Sequence, residues 1–178
     1  MDLLDFTDCT LYFEDPLPAR AEALLNQAAR EYGQDSAEIA LLRAHLEVPE
    51  NLTVLVGLYR YYFYQHRLDD ALLVAERAMN VSGRQLGLPT DWRAFDDAHF
   101  GTAAQRSFGL LRFYLFALKA ASVVLLRLRR VDESRARLAK LASFESRDQL
   151  GVARLLEVID EFQNPSAPAE HEPAKIAA

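Results

Sequence analysis

The sequence has little cysteine and little glycine: a single cysteine, Cys9, and seven glycines among 178 residues. One cysteine excludes a disulfide within the chain and is typical of proteins in a reducing cytoplasm. Few glycines, together with no strand-like alternation of apolar and polar residues, indicate an all-α chain.

Membrane and targeting signals are also missing from the pattern. No apolar run approaches the ~18 residues that span a bilayer, so we expect no association with a membrane. The first residues, MDLLDFTD, carry no basic side chain, whereas secretory and mitochondrial signals need one. We therefore expect a cytoplasmic protein.

Motifs of catalysis are absent as well. The sequence has no glycine-rich phosphate loop and no histidine–glutamate zinc pattern, and no nucleophile has a base beside it. We therefore predict that the protein is not an enzyme and binds no metal or cofactor. One alternative stays open at residues 91–99, because Asp96 or Asp97 with His99 has ligand types that a divalent metal accepts. Helix capping and solvation explain these aspartates without a metal.

The charge is unevenly distributed along the chain. The formal net charge is −6, yet residues 109–141 hold eight basic side chains and only two acidic ones. Overall acidity and the lack of a binding motif argue against a nucleic-acid partner. Pairing with an acidic segment, from the chain's own N-terminus or from a protein partner, explains the basic region better. A solvated helix face is the simplest explanation for most of these arginines.

The apolar pattern predicts pairs of helices joined by tight turns. In the central pair, Leu55, Leu58 and Tyr62 keep the i, i+3, i+7 spacing of one buried face. The turn falls at 66–68, and the small Ala71 on the inner face of the next helix lets the two helices approach closely. A single pair cannot bury both of its faces, so similar pairs are expected beside it.

The same pattern divides the chain into three parts. Residues 1–17 form an acidic N-terminal segment, expected either to dock on the body or to be a frayed terminus with a few buried anchors. Residues 18–163 form one helical domain, whose last helix at 147–162 is expected to cover the open end of the stack. Residues 164–178, with three prolines and no apolar periodicity, are expected to be a disordered tail.

An insertion interrupts the domain at about 81–102, where turn residues are frequent. Thr102 and Gln105 then have the spacing of a capping box. A long helix is predicted from 103 to about 128, with Gly109 as the expected point of a bend or break.

A repeated spacing of small residues connects the helix pairs. Ala37 lies 34 residues before Ala71, which is the period of the tetratricopeptide repeat. After the insertion, Ser134 takes the place of Ala71, and RVDESRARLAKL aligns with RLDDALLVAERA. From about residue 18 to 162 the chain therefore resembles a tetratricopeptide-repeat protein, although the tryptophan of that family is absent. The resemblance implies an all-α, TPR-like stack of three helical hairpins in a right-handed superhelix, with an insertion and a C-terminal capping helix.

The register of this repeat family places residues of the first helices along a concave groove. Aromatic and arginine side chains are prominent there, and such side chains dominate interface hot spots. We therefore predict binding of a protein partner through an acidic segment with apolar anchors. The predicted groove residues are Asn26, Arg30, Val56, Arg60, Phe63, Tyr64, Phe116, Lys119, Val123 and Arg127. A second candidate surface in the insertion consists of Trp92, Phe95 and His99.

Two stretches, ALLRAHLEVPENLTVLVGLYRYYFYQHRLDDALLVAERAM and DWRAFDDAHFG, resemble small tetratricopeptide-type proteins of bacterial nitrogen-fixation clusters, in particular the nitrogenase-associated factor T family. This resemblance implies an accessory factor that binds the molybdenum–iron protein of nitrogenase during maturation or repair. We therefore expect a non-catalytic adaptor or assembly factor. The alternatives are a chaperone for another client and a metal-dependent enzyme that uses residues 91–99.

Overall fold

The computed structural model describes residues 16–144 and 150–163, and these residues are all-α, as the sequence predicts. Between the fourth and fifth α-helices lies a short 3-10 helix, Trp92–Ala94. In chain order the α-helices of the described residues are α1 (Ala19–Arg30), α2 (Asp35–Glu47), α3 (Leu52–Tyr64), α4 (Leu68–Leu86), α5 (Asp97–Arg106), α6 (Phe108–Arg127), α7 (Val131–Ala142) and α8 (Val152–Gln163).

Three pairs of consecutive helices pack together in the predicted order. α1 packs on α2, α3 on α4, and α6 on α7, while contacts of α2 with α3 and of α4 with α6 join the pairs. The turns within the second and third pairs share one backbone geometry, since His66 and Arg129 adopt left-handed φ angles of 58° and 60°. In each turn, the N–H group of the following arginine donates to the helix carbonyl five residues earlier, at 2.9 Å. This is a Schellman arrangement, which satisfies the last free carbonyls of a helix.

The small residues of the repeated spacing lie in the core. Ala37, Ala71 and Ser134 are fully inaccessible to solvent, which confirms the predicted burial of Ala71. Ser134 donates a hydrogen bond of 2.8 Å to the backbone carbonyl of Ser122 on α6. The serine hydroxyl is therefore satisfied at a position where an unpaired polar group would cost stability.

Ala71→Leu is expected to lower the free energy of unfolding by about 1–3 kcal/mol, because a fully packed position has no volume for a longer side chain. Denaturant midpoints followed by circular dichroism measure the loss. Leu73→Ala is the matched control, since Leu73 lies on the same helix and is 68% exposed. A midpoint for Ala71→Leu equal to that of the wild type would contradict the helix register.

The insertion begins later than the sequence predicts. α4 continues past residue 81 to Leu86, because Val81, Ser82 and Leu86 all remain on its buried face. Gly87 then ends the helix with a left-handed φ of 75°, a conformation that glycine adopts without strain.

The long helix predicted for 103–128 is divided into two. Ser107 separates α5 from α6 and caps α6, because its hydroxyl accepts the N–H of a first-turn residue at 3.3 Å. The break therefore precedes Gly109. Thr102 does not begin a helix; it lies inside α5, where its hydroxyl donates to a carbonyl one turn earlier at 3.0 Å.

α6 is the central helix of the described residues. By length and apolar composition it is able to cross a membrane, so the expectation that no segment reaches this length is wrong. Most of α6 is nevertheless buried, and it packs on α4, α5 and α7. A helix that is apolar around most of its circumference is suited to such a central position.

α8 packs on α7, in the position predicted for the capping helix. Its buried residues Val152 and Ile159 belong to the same core cluster as Leu138 of α7. The last helix begins later than the predicted residue 147: residues 150–151 are not helical, Gly151 has a left-handed φ of 64°, and α8 begins at Val152. Two expectations concern residues outside the described ones: the acidic segment up to residue 15 and the tail at 164–178.

Tyr114 on α6 makes stability sensitive to alkaline pH. Burial, and secondarily the charge of Asp91, raises the pKa of Tyr114 to about 12. In the unfolded chain the phenol ionises near pH ~10, so above that pH the unfolded state has released a proton that the folded state still holds. The free energy of unfolding therefore falls as the pH rises through this window, by up to ~1.4 kcal/mol per pH unit from this group.

Tyr114→Phe is expected to remove this part of the alkaline loss. The measurement compares urea midpoints of the wild type and the variant at about pH 8 and about pH 11. Other buried tyrosines titrate equally in both proteins, so the difference between the two isolates Tyr114. A difference that stays constant with pH would contradict the assignment.

Candidate protein-binding groove

A groove of about 570 Å³ opens between α1, α2 and α3. This volume is within the range of ligand-binding clefts in proteins. We call it the α1–α3 groove; its lining consists of Leu25, Ala28, Ala29, Tyr32, Leu41, Gly57, Arg60, Tyr61 and Tyr64.

Small residues on the facing helices explain why the groove exists. A Cβ atom on Gly57 of α3 would lie 3.2 Å from Cδ2 of Leu41 and 3.5 Å from Cδ2 of Leu25. Glycine therefore allows the close contact that forms one end of the groove. Beyond that contact, Ala28 and Ala29 leave space that larger side chains would fill.

Three tyrosines form the aromatic wall of the groove. The rings of Tyr32 and Tyr61 meet edge to face, with centroids 6.0 Å apart and planes inclined by 82°. Tyr61 is buried, whereas Tyr32 and Tyr64 are 52% and 43% exposed. Burial raises the pKa of both Tyr32 and Tyr61. Such rings offer apolar area together with a polar hydroxyl, a combination that is enriched at interfaces.

The charged side chain among the lining residues is Arg60, which forms no ion pair within the part of the chain that the structure describes. Arg30 is exposed on α1 but does not line the groove. The charges of two acidic residues, Glu38 and Asp35, act on Tyr61, and Glu38 is already engaged: Arg67 donates to it at 2.7 Å and the Tyr62 hydroxyl at 3.0 Å. The arrangement therefore favours an acidic ligand.

Eight of the ten predicted groove residues fall into three groups. In the first group, Arg60 and Tyr64 line the α1–α3 groove, whereas Asn26 and Arg30 are exposed on α1 and do not line it. The second joins α3 to α6, where the Arg127 guanidinium lies 4.7 Å from the centre of the Phe63 ring and 3.0 Å from Nδ1 of His66. A cation over an aromatic face is held by the ring quadrupole. The two remaining predicted residues, Val56 on α3 and Val123 on α6, are half-buried.

The third group is covered by the C-terminal part of the domain. Lys119 is buried, and its Nζ donates a hydrogen bond to the backbone carbonyl of Leu150. Phe116 is half-buried at a separate cavity of about 240 Å³, which Phe108 and Phe144 also line. The structure therefore does not bring Phe116 and Lys119 into the α1–α3 groove; both lie on α6, where Leu150 contacts Lys119 and lines the same cavity as Phe116.

The alternative surface in the insertion belongs largely to the core. Trp92 and Phe95 are buried, so their side chains are not at the surface where they were expected. Nδ1 of His99 lies 2.6 Å from Oδ1 of Asp96. Asp96 also caps α5 by accepting the backbone N–H of His99, and this bond first, then the ring contact, keeps the pKa of the Asp96 carboxyl below its usual value. Among the residues described, no three histidine, cysteine or acidic side chains are grouped as metal ligands.

Seven of the nine residues that line the groove are missing from the predicted set, and two of these, Tyr32 and Tyr61, are aromatic. The signal for Tyr32 is present in the sequence, since Leu25, Ala28 and Tyr32 keep the i, i+3, i+7 spacing of one face of α1. Tyr61 has no such signal, because α3 is apolar around most of its circumference.

Comparison with known proteins places the chain in a family. No family model matches it, and no solved structure matches it. A curated protein of Azotobacter chroococcum mcd 1, described as "Uncharacterized 19.8 kDa protein in nifW 5'region", is 45% identical over 161 residues, which cover 90% of this chain and 90% of that protein. The chain therefore belongs to the family of this 19.8 kDa protein of the nifW 5′ region.

Proposed function

We propose that this chain is a non-catalytic accessory factor of nitrogen fixation that binds the molybdenum–iron protein of nitrogenase. The observation that carries the proposal is the relative from the nifW 5′ region, which is 45% identical over nearly the full length of both chains. A nif-gene region is a region of nitrogen-fixation genes. The resemblance to the nitrogenase-associated factor T family supports the same partner.

The α1–α3 groove supports binding of a protein segment. It combines exposed aromatic rings at Tyr32 and Tyr64 with the charge of Arg60, which has no ion-pair partner among the described residues. Aromatic and arginine side chains contribute most to interface hot spots. An acidic segment with apolar anchors would use both features: its charge would speed encounter and its anchors would slow release.

Asp96 and His99, the candidates for a metal-dependent reaction, have contacts that support a structural role instead. Asp96 is occupied as the N-cap of α5, and His99 contacts the same carboxylate. A metal-dependent reaction at residues 91–99 would need these groups to be free for a metal or a substrate. An adaptor or assembly factor agrees better with this arrangement.

The repeat architecture is part of the proposal. His66 and Arg129, which make the two matching turns, are 63 residues apart, as are the buried Ala71 and Ser134. Equal spacing of turn and core positions supports a tetratricopeptide-type, right-handed stack of three hairpins. In such stacks each pair contacts its neighbours and the first helices form the binding surface.

A titration of the purified chain with purified molybdenum–iron protein tests the proposed partner. We expect a complex on size-exclusion chromatography whose dissociation constant, from calorimetry, rises with salt. The iron protein of nitrogenase serves as the control and is expected not to bind. Absence of a complex, with capture of an unrelated client from nitrogen-fixing cells, would overturn the nitrogenase assignment in favour of a chaperone for that client.

A further inference from the structure

The α1–α3 groove presents exposed aromatic side chains and an arginine without an ion-pair partner among the described residues. Tyr32 and Tyr64 expose aromatic area, and Arg60 has no ion-pair partner among residues 16–144 and 150–163. A ligand that is acidic and also carries large apolar side chains would complement the groove.

The chain itself contains such a ligand. Residues 1–15, MDLLDFTDCTLYFED, include five acidic residues and no lysine or arginine. The same segment has a high density of large apolar side chains for so acidic a stretch, namely Leu3, Leu4, Phe6, Leu11, Tyr12 and Phe13. A purely solvated tail would have few of these.

The segment is also within reach of the groove. Leu17, which follows it, is half-buried against the core cluster that contains the groove residues Ala28, Leu41 and Tyr61. The lining of the groove begins at Leu25, six residues after the start of α1 at Ala19, or ~9 Å along the helix. A segment of fifteen residues spans up to ~50 Å when extended.

We infer that residues 1–15 occupy the α1–α3 groove as an internal ligand. An acidic side chain of the segment pairs with Arg60, and an aromatic side chain of the segment packs on the tyrosine wall. A protein partner that uses this groove must displace the segment. The apparent dissociation constant of the partner is therefore its intrinsic value divided by the fraction of molecules in which the groove is free. The inference goes beyond the proposed function and holds whichever partner binds.

The single cysteine allows a direct test on the full-length protein. A nitroxide label on Cys9 of ¹⁵N-labelled chain is expected to broaden the amide signals of Tyr32, Gly57 and Tyr64 to less than half of their intensity in the reduced, diamagnetic sample. Arg60→Glu is expected to restore most of that intensity. Arg43→Glu makes the same charge change on the opposite face of α2 from Leu41 and is expected to leave the broadening in place.

A second variant changes only the segment. Phe6→Ala with Phe13→Ala leaves every residue of the groove intact and is expected to restore the signals as Arg60→Glu does. Broadening at another surface, or no broadening, would overturn the inference. Broadening that appears when spin-labelled ¹⁴N chain is mixed with unlabelled ¹⁵N chain would also overturn it, because a second copy would then be the occupant. None of these outcomes depends on the titration with the molybdenum–iron protein.

Discussion

Phe95→Ala is expected to lower the free energy of unfolding by about 3–5 kcal/mol. Phe95 is fully buried, and its ring centre lies 4.6 Å from that of Phe144 and 5.5 Å from that of Tyr114. Truncation would leave a cavity between α5, α6 and the end of α7, which rigid neighbours close only in part. Small domains have a total stability of about 5–15 kcal/mol, so the loss is a large share of the whole.

Denaturant unfolding followed by circular dichroism measures this loss. Phe108→Ala is the matched control, because it removes the same atoms from a ring that is 62% exposed. Phe95→Leu, which fills part of the cavity, is expected to fall between the wild type and Phe95→Ala. Equal losses for Phe95→Ala and Phe108→Ala would show that the cluster around Phe95 does not stabilise the fold.

The helix pairs are predictable from the sequence because their causes are local. The spacing of Leu55, Leu58 and Tyr62 depends only on the period of an α-helix, and all three are buried as predicted. Ala71 and Ser134 mark the close approach of paired helices in the same way. Turn geometry is less visible, since the left-handed positions hold His66 and Arg129 where glycine is the usual residue.

The continuation of α4 through residues 82–83 is not predictable, because its cause lies in another helix. Ser82 and Gly83 read as turn residues, but a Cβ atom on Gly83 would lie 3.1 Å from the ring of Tyr114. Glycine is thus present for close packing with α6, and Ser82 keeps its hydroxyl satisfied by donating to the carbonyl of Ala78 at 2.8 Å. Trp92 and Phe95 are buried because they contact residues that are distant in the sequence, and the local sequence pattern does not indicate such contacts.

The site is predictable only in part. Repeat register groups Arg60 with Tyr64 on α3, and both line the α1–α3 groove, but the shape of the groove depends on the distance between α1 and α3. The covering of Lys119 depends on Leu150, 31 residues later in the chain. Both are tertiary properties, so the sequence indicates the chemistry of the groove better than its extent.

Replacing Tyr32 and Tyr64 together by alanine is expected to weaken binding of the molybdenum–iron protein by at least about 2 kcal/mol, roughly 30-fold in the dissociation constant. Both rings are partly exposed at the α1–α3 groove, so truncation removes contact area without opening the core. Arg60→Gln is expected to have a smaller effect, mainly on the association rate, and its effect should shrink at high salt.

Calorimetric titrations of the variants against the purified molybdenum–iron protein measure these differences, with circular dichroism to show that each variant is folded. Leu46→Ala is the control for loss of exposed apolar area, because Leu46 is 78% exposed on α2 and does not line the groove. Phe108→Ala tests whether the partner binds at the separate cavity that Phe108 and Phe116 line. If the tyrosine variant binds like the wild type and Phe108→Ala loses affinity, the partner binds at that cavity and not in the α1–α3 groove.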